Sequence, residues 1–227
     1  MAGKKNINGF PFISFEREYY DSEVMKIRCK YFYTFMNERR TCRNFSDKPV
    51  PKEIIENIIL TASSAPSGAH KQPWTFCVVS SPEVKKQIRI EAEKEENESY
   101  NGRMPDEWKK DLLPLQTDWK KEFLETAPYL IIVFKKSYDY DTAGNKTNTY
   151  YANESCGIAC GFLLAAIHHA GLTALTHTPS PMNFLSTILK RPANEKAFLV
   201  IPVGYVAEEC WVPDIKRKTL NEVSQWF

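Results

Sequence analysis

Three arginines within five positions are followed by a loop of small residues. The arginines are Arg39, Arg40 and Arg43, and the loop runs from Ser63 to Ala69. Guanidinium groups bind phosphate well because each offers a planar fork of donors. Small residues let backbone N–H groups approach a flat ligand closely. Together these features predict a site for a phosphorylated, planar cofactor, although a solvated basic helix end before an ordinary loop has the same appearance.

Two further charged segments could contribute to such a site. Residues 91–121 are rich in charge and have little apolar periodicity before Trp108, which is typical of solvated surface or of a mobile flap. The basic triplet Lys216–Lys218 could help to bind an anion, or it could be an exposed basic turn. The residues alone leave both alternatives open.

Size and composition indicate one globular domain. The chain has 227 residues, of which 43% are hydrophobic and 26% are charged, and its net charge is +2. So small a net charge gives no reason to expect a nucleic acid or a membrane as partner. The longest apolar stretch, residues 157–167, is too short to span a bilayer. The N-terminus lacks the apolar core of a signal peptide, so we expect a cytoplasmic protein.

The six cysteines give no metal or disulfide signature. They are Cys29, Cys42, Cys77, Cys156, Cys160 and Cys210, and no two form a C-x-x-C pair. Cys156 and Cys160 are four apart in a helical pattern and therefore share one face. We expect the cysteines to be small core residues in a reducing compartment, with no metal bound.

The alternation of helical patterns with a few short strands predicts an α+β sandwich, in which a small sheet has helices on both sides. Residues 1–20 should form an extended arm. The helix predicted at 147–170 is apolar nearly all round, so we expect it at the centre, against a second subunit. The patterns predict further helices at 22–39, after Pro51, after Ser81 and at 182–189, and strands at 74–79, 129–135, 172–176 and 198–206.

Several sequence segments, taken in order, resemble a known family. They include RR-x-x-R-x-F-S at Arg39, APSGAHKQPW at Ala65, ESCGIACGFLLAAIHHAGL at Glu154, THTP at Thr176 and VPDIKRK at Val212. This set, over roughly residues 30–220, resembles the FMN-dependent nitroreductase superfamily and, within it, the iodotyrosine deiodinase branch.

The resemblance implies a particular architecture. It is a single nitroreductase-like domain over residues 1–227, with a small mixed sheet flanked by helices, in an intertwined homodimer that has two active sites at the interface. Residues 1–20 would be an arm around the partner, residues 91–121 an active-site lid and residues 207–227 a C-terminal extension. Animal members carry a membrane anchor before this domain, so the resemblance implies a soluble, bacterial-type homologue here.

The resemblance also implies FMN as the cofactor and assigns residues to it. Thr178 would donate to flavin N5 and favour one-electron chemistry, which makes it the catalytic residue. We do not interpret His177 beside it as a catalytic base, and expect it to face the backbone or an interface. The other positions implied in cofactor binding are Arg39, Arg40, Thr41, Cys42, Arg43 and Arg217 at the phosphate and ribityl chain, Pro66, Ser67 and Gly68 along one flavin edge, and Thr176, His177 and Thr178 on the other flank.

The same resemblance implies a site for an amino acid zwitterion. Glu96 would bind the α-ammonium group, while Lys121 and Tyr100 would bind the α-carboxylate. The backbone N–H of Ala69 would bind the substrate phenolate. Glu95 and Lys120 adjoin Glu96 and Lys121. The main alternative is therefore an alignment shifted by one residue, with Glu95 in the role of Glu96 or Lys120 in the role of Lys121.

The implied reaction is reductive dehalogenation of halogenated tyrosines such as mono- and diiodotyrosine. Reduced FMN would deliver two electrons, and halide and tyrosine would be released. A general NAD(P)H-dependent nitroreductase or quinone reductase, or a flavin or halotyrosine binder without turnover, are the alternatives. No G-x-G-x-x-G fingerprint for a nicotinamide cofactor is present. The electron donor could therefore be NAD(P)H itself or an external reductase.

Overall fold

The computed structural model describes residues 3–227, so Met1 and Ala2 of the predicted arm lie outside the described residues. The chain divides into two compact units, the first ending at Glu38 and the second comprising Arg39–Phe227. Each is described separately. None of the described helices is both long enough and apolar enough to cross a membrane.

The N-terminal unit is a hairpin followed by a helix, whereas the sequence predicted only an extended arm for residues 1–20. Strands β1 (Lys4–Ile7) and β2 (Phe10–Ile13) pair in antiparallel fashion. Asn8 and Gly9 join them with φ angles of 51° and 89°, the left-handed pair that a two-residue hairpin turn needs. Helix α1 (Ser22–Asn37) begins after Asp21, whose side chain accepts hydrogen bonds from two N–H groups of the first turn. No residue of α1 is buried.

A four-stranded sheet organises the second unit. Its strands are β3 (Trp74–Val79), β4 (Tyr129–Lys136), β7 (Thr173–Ala174) and β8 (Glu195–Gly204), in the spatial order β3-β4-β8-β7 with antiparallel pairing. A parallel bridge between Thr41 and Ala174 adds to the β7 edge, which makes the pairing mixed. The small sheet of β5 (Tyr138–Tyr140) and β6 (Lys146–Asn148) is separate.

Both faces of the sheet are covered, because β4 alternates its side chains between two cores. Ile131 and Val133 pack into one core with helices α2 (Lys52–Ser63) and α6 (Ala152–His169). Ile132 and Phe134 pack into the other, formed with α3 (Pro82–Glu98), α5 (Phe123–Thr126) and α7 (Asn183–Ile188). The predicted α+β sandwich with helices on both sides of a small sheet is therefore confirmed.

Helix α6 begins later than predicted and is not buried all round. Residues 146–148 form strand β6, and Tyr151, with a φ of 51°, stands at the N-cap. Cys156 and Cys160 are buried on one side of the helix, as expected from their spacing. Gly157, Ile158, Gly161 and Phe162 are exposed on the other side. Half of this helix therefore remains uncovered within one chain.

Two segments near the candidate site complete the second unit. After α3 the lid segment, residues 91–121, continues through a π-helical turn (Ser99–Arg103), α4 (Asp106–Leu112) and a 3-10 turn (Leu113–Leu115). It is thus folded into helices and contributes the buried Met104 to the interior. The C-terminal extension, residues 207–227, contains the short helix α8 (Leu220–Val223), whose N-terminus is closed by a capping box of Thr219 and Glu222.

Candidate active site

A strongly cationic cavity of about 350 Å³ lies where the arginine trio meets the C-terminal extension. Five of its lining side chains carry positive charge, and no acidic residue in the described part of the chain lines it. The charged residues are Arg39, Arg40, Arg43, Lys216 and Arg217, and Thr41, Thr176 and Pro213 also line it. Such a set of donors fits a phosphorylated ligand.

Contacts between two segments that are far apart in sequence build this cavity. The Arg40 guanidinium donates to the Pro213 carbonyl, and the Arg217 guanidinium donates to the Arg39 carbonyl at 2.9 Å. Cys42 N–H donates to the Ala174 carbonyl at 3.3 Å, next to the bridge between Thr41 and Ala174. The edge of the sheet therefore positions the backbone of the arginine trio. Backbone carbonyl groups orient the guanidinium groups of Arg40 and Arg217 at the cavity.

Electrostatics in the cavity favour binding of an anion. Burial lowers the pKa of the Arg39 guanidinium, and the positive charges of Arg217 and Arg40 lower it further. Like charges are held close together at a cost in free energy, which a bound anion would offset. The residues present therefore fit the phosphate group of FMN.

A second cavity of about 470 Å³ adjoins the cationic cavity, because Thr176 lines both. The lid segment forms one wall with Glu96, Tyr100 and Lys121, and Thr176–Thr178 form part of the opposite wall. Thr176 and Thr178 are exposed to this space, whereas the side chain of His177 between them is buried. The structure thus places the three lid residues and Thr178 in the lining of one cavity.

Glu96 and Lys121 form a buried ion pair with each other. Glu96 Oε2 lies 3.5 Å from Lys121 Nζ, and only 14% and 5% of the two side chains are exposed. Lys121 Nζ also donates to the Asp118 carbonyl, and the Tyr100 hydroxyl donates to the Thr117 carbonyl at 3.2 Å. The polar groups of the lid residues therefore pair with one another or with carbonyl groups of the lid backbone. This closed arrangement was not predicted from the sequence.

Burial pushes both charges of this pair toward neutrality. Desolvation raises the pKa of Glu96, while Lys121 acts in the opposite direction. Desolvation lowers the pKa of Lys121, and Glu96 opposes that shift. Each residue keeps its charge through the other, so a ligand that separates them must supply a replacement charge to each.

Glu95 and Lys120, which adjoin the ion pair in the sequence, form different contacts. These contacts help to decide which glutamate and which lysine would bind a ligand. Glu95 directs its carboxylate to Arg103, with 2.8 Å between Oε2 and Nη2. Lys120 is exposed, and its Nζ lies 5.7 Å from the centre of the Trp119 ring. Of these four residues, only Glu96 and Lys121 therefore pair with each other in the wall of the cavity.

His177 is buried between the ion pair and the core. Its Nδ1 lies 3.8 Å from Glu96 Oε1, and its ring meets Phe123 edge-on with 5.7 Å between centroids. Nε2 is buried without a hydrogen-bond partner among the described residues. The backbone of His177 pairs with that of Val200 through two hydrogen bonds. Burial, followed by the charges of Lys121 and Arg43, lowers the pKa of His177 to about 3.

His177 should make the fold more sensitive to mild acid. The unfolded chain takes up a proton near pH 6.5, whereas folded His177 takes one up only near its pKa of about 3. Stability is therefore lost as pH falls below 6.5, by about 1.4 kcal/mol at pH 5.5 from this group. We expect His177→Gln to lose less stability than the natural sequence between pH 7.5 and pH 5.5 in urea unfolding. An equal loss of unfolding free energy in both proteins would contradict a lowered pKa for folded His177.

The loop that was predicted to lie against the flavin does not line either cavity. Pro66, Ser67, Gly68 and Ala69 are absent from both walls within this chain. Gly68 packs so closely that an added Cβ would lie 2.8 Å from the Tyr150 carbonyl oxygen. Ala69 has a φ of 49°, in the left-handed region. The loop is thus tightly built, but the predicted grouping with the arginines is not formed within one chain.

Sequence reasoning missed several residues of the site. Arg103 and Asp118 hold the lid, and Lys216 lines the cationic cavity although it was interpreted only as part of a basic triplet. Arg103 could not be found by helical spacing, because the π-helical turn at Ser99–Arg103 changes the register. The expectation of buried cysteines was wrong for Cys29, which is exposed.

Comparison with known proteins decides the family. A family model described as the nitroreductase family matches residues 36–205. The chain belongs to the nitroreductase family.

Other members of the nitroreductase family share the sequence over nearly its whole length. A protein of Haliscomenobacter hydrossis named iodotyrosine deiodinase is 61% identical over 207 residues, covering 91% of this chain and 93% of that relative. Iodotyrosine deiodinase 1 of Homo sapiens is 46% identical over 224 residues, covering 98% of this chain and 76% of the human protein. These identities place the chain in the iodotyrosine deiodinase branch of the nitroreductase family.

Solved structures of the nitroreductase family share the fold. A crystal structure of oxidized iodotyrosine deiodinase bound to FMN and 3-iodo-L-tyrosine has a TM-score of 0.75 and 29% identity, covering 83% of this chain and 96% of the other. A crystal structure of a protein from Bacteroides thetaiotaomicron, described as an NADH dehydrogenase/NAD(P)H nitroreductase, has a TM-score of 0.62 and 24% identity, covers 86% of this chain and 96% of the other, and shows the same fold.

Proposed function

We propose that this chain catalyses the FMN-dependent reductive dehalogenation of halogenated tyrosines, giving tyrosine and halide. The single observation that carries the proposal is the buried pair of Glu96 and Lys121, which faces Thr178 in a cavity adjoining the cationic one. Opposite charges at that place suit an amino acid zwitterion. Relatives up to 61% identical, named iodotyrosine deiodinase, support it.

FMN supplies the two electrons when it is bound. Arg39, Arg40, Arg43 and Arg217 would hold its phosphate, and the backbone at Thr41 and Cys42 would lie along the ribityl chain. Thr176, His177 and Thr178 would flank the flavin where the two cavities meet. Charge-assisted hydrogen bonds from several guanidinium groups make the phosphate the main anchor of the cofactor.

The substrate would be held at both of its ends. Glu96 binds the ammonium group, and Lys121 with Tyr100 binds the carboxylate, so the ion pair of the closed lid is exchanged for two ion pairs with the ligand. The Ala69 N–H would hold the phenolate oxygen. In the reaction the carbon–halogen bond breaks, halide leaves and the ring carbon gains a proton. The lid excludes water while this occurs.

A homodimer would complete the site. The loop Pro66–Ala69 does not line the cavities of its own chain, so a second copy would have to supply it. The uncovered side of α6, with Gly157 and Gly161, offers a flat apolar face, because a Cβ added at either glycine would meet open space. Helix α1 buries none of its residues. These features support an interface between two copies, with the loop of each beside the arginines of the other.

The remaining parts of the proposal concern the cell. We place the enzyme in the cytoplasm as a single-domain protein, with electrons from NAD(P)H or from an external reductase. The cysteines are free in the structure, which suits a reducing compartment.

A flavin titration tests the proposal. FMN-loaded protein is titrated with diiodotyrosine and with tyrosine, and iodide release is then measured with dithionite as reductant. We expect diiodotyrosine to quench flavin fluorescence at micromolar concentrations, tyrosine to bind far more weakly, and iodide to be released over many turnovers. Flavin that ignores both ligands would favour a general nitroreductase. Tight binding without turnover would favour a halotyrosine binder.

Thr178 should control which reaction the bound flavin performs. Its hydroxyl lines the substrate cavity and would donate a hydrogen bond to the flavin. We expect Thr178→Ala to lower deiodination roughly tenfold, the value of one hydrogen bond, and to raise nitroarene reduction. Ser180→Ala removes a hydroxyl from the same cavity and is the matched control. If the ratio of deiodination rate to nitroarene reduction rate were the same in Thr178→Ala and Ser180→Ala, this role of Thr178 would be refuted.

A further inference from the structure

Two cysteine side chains touch beside the cationic cavity. Cys42 Sγ and Cys210 Sγ are 3.1 Å apart, although 168 positions separate them in the sequence. Cys42 is buried with 3% of its surface exposed, and Cys210 is partly exposed. Both are free thiols in the structure. None of the steps proposed for dehalogenation uses either sulfur atom.

The backbone around the two cysteines is already aligned. Phe45 forms an antiparallel bridge with Val206, and Ala207 N–H donates to the Asn44 carbonyl at 3.0 Å. On the other side of the cysteines, Arg40 contacts the Pro213 carbonyl. The sulfur contact therefore lies within a continuous antiparallel run of contacts between the arginine segment and the start of the C-terminal extension. A disulfide needs the sulfur atoms about 1 Å closer than this contact.

We propose that Cys42 and Cys210 form a reversible disulfide that fastens the C-terminal extension to the arginine segment and so holds the FMN phosphate cavity closed. The oxidant is a peroxide. Its O–O bond breaks on the Cys210 sulfur to give a sulfenic acid, and the Cys42 sulfur then displaces water to form the S–S bond. Overall two thiols lose two protons and two electrons, and hydrogen peroxide is reduced to two molecules of water.

The order of these steps follows from exposure. Cys210 is the more accessible thiol and meets the oxidant first, whereas Cys42 is shielded and waits beside it. Burial and the neighbouring Cys42 raise the pKa of Cys210 to about 11. Because only the thiolate reacts, the bond should form slowly near pH 7 and roughly tenfold faster for each pH unit above that.

Closing the bond should slow the release of FMN. Three residues of the C-terminal extension line the cavity, namely Pro213, Lys216 and Arg217. The first of them follows Cys210 by three positions. With Cys210 tied to the arginine segment, these lining residues would be held closer to the arginines. We expect FMN to leave the oxidised protein several-fold more slowly than the reduced protein.

The experiment uses the FMN-loaded protein. It is treated with hydrogen peroxide at pH 8, alkylated, digested and examined by mass spectrometry, with and without dithiothreitol. We expect a linked peptide pair containing Cys42 and Cys210 that dithiothreitol removes. Cys210→Ser should abolish the linked pair and the slower FMN release, while Cys29→Ser, a control at an exposed cysteine, should keep both.

Three results would overturn the proposal. The first is treated protein in which Cys42 stays alkylatable while Cys210 proceeds to sulfinic acid. The second is a linkage that involves other cysteines. The third is a Cys42–Cys210 bond that leaves the rate of FMN release unchanged, since the bond would then not act on the cavity.

Discussion

Glu96→Gln should weaken the binding of diiodotyrosine by about 30-fold to 4,000-fold while FMN stays bound. Removing the charge of one partner from a buried, hydrogen-bonded ion pair costs about 2–5 kcal/mol, and about 1.4 kcal/mol corresponds to a factor of ten. Glutamine keeps the shape of the side chain but cannot match the ammonium charge. Lys121 would also be left buried without its counterion, and only 5% of its side chain is exposed.

Lys121→Met should have an effect of the same size. Lys121 opposes the desolvation that raises the pKa of Glu96, so without the lysine that pKa would rise further and the negative charge that binds the ammonium group would be less favourable. Affinity is measured by quenching of flavin fluorescence, and FMN retention by absorbance after gel filtration. Thermal melting verifies that each variant is folded.

The adjacent residues provide matched controls for both variants. Glu95→Gln removes a carboxylate that pairs with Arg103, and Lys120→Met removes an exposed ammonium group next to Trp119. Lys120→Met should bind diiodotyrosine within about threefold of the natural sequence, as surface substitutions do. Glu95→Gln alters a half-buried side chain of the same cavity that is already paired with Arg103, and should weaken binding clearly less than Glu96→Gln does. If Glu95→Gln were as damaging as Glu96→Gln, the register assigned to the lid would be wrong.

Arg39→Met should change FMN affinity and apoprotein stability in opposite directions. A hydrogen bond to a charged group contributes about 1.5–3 kcal/mol, so FMN binding should weaken about 10-fold to 150-fold. In the apoprotein the same substitution removes a guanidinium whose pKa is lowered by burial and, to a smaller extent, by the charges of Arg217 and Arg40, and hence removes both a desolvation cost and repulsion. The melting temperature of the FMN-free protein should therefore stay the same or rise.

Calorimetric titration with FMN and thermal melting of the apoprotein measure the two effects. Lys196→Met, which removes one positive charge from an exposed position of β8, is the control and should change neither quantity appreciably. A residue that only supports the fold would lower both FMN affinity and apoprotein stability. That outcome for Arg39→Met would remove the argument that the arginines are clustered to bind an anion.

Two strands of the sheet, β3 and β4, could be predicted from the sequence because they are largely apolar runs, whereas the strands predicted at 172–176 and 198–206 are observed at Thr173–Ala174 and Glu195–Gly204. The strand predicted at 74–79 is observed at Trp74–Val79, and the one at 129–135 is longer by a single residue, Lys136. Buried central strands show this pattern whatever surrounds them. The start of α6 could not be predicted, because the polar residues before it pair with β5 in a hairpin that contributes no apolar periodicity.

The structure adds contacts between the predicted site residues that the sequence did not indicate. The resemblance named Glu96 and Lys121 as partners of a ligand, and the structure shows them as partners of each other. The spacing of Cys42 and Cys210 contains no signal, because the pairing of the C-terminal extension with the arginine segment brings them together. Contacts of this kind depend on long-range folding, which local patterns do not encode.

Thr176 lines both the cationic cavity and the substrate cavity, so two ligands would share one wall. Sharing makes their binding equilibria interdependent. Whatever factor a halotyrosine adds to the affinity for FMN, FMN must add to the affinity for the halotyrosine, since the free energy of the doubly occupied protein does not depend on the order of filling. Where that factor exceeds one, a smaller supply of halotyrosine lowers the fraction of the protein that holds FMN, and a larger supply raises it.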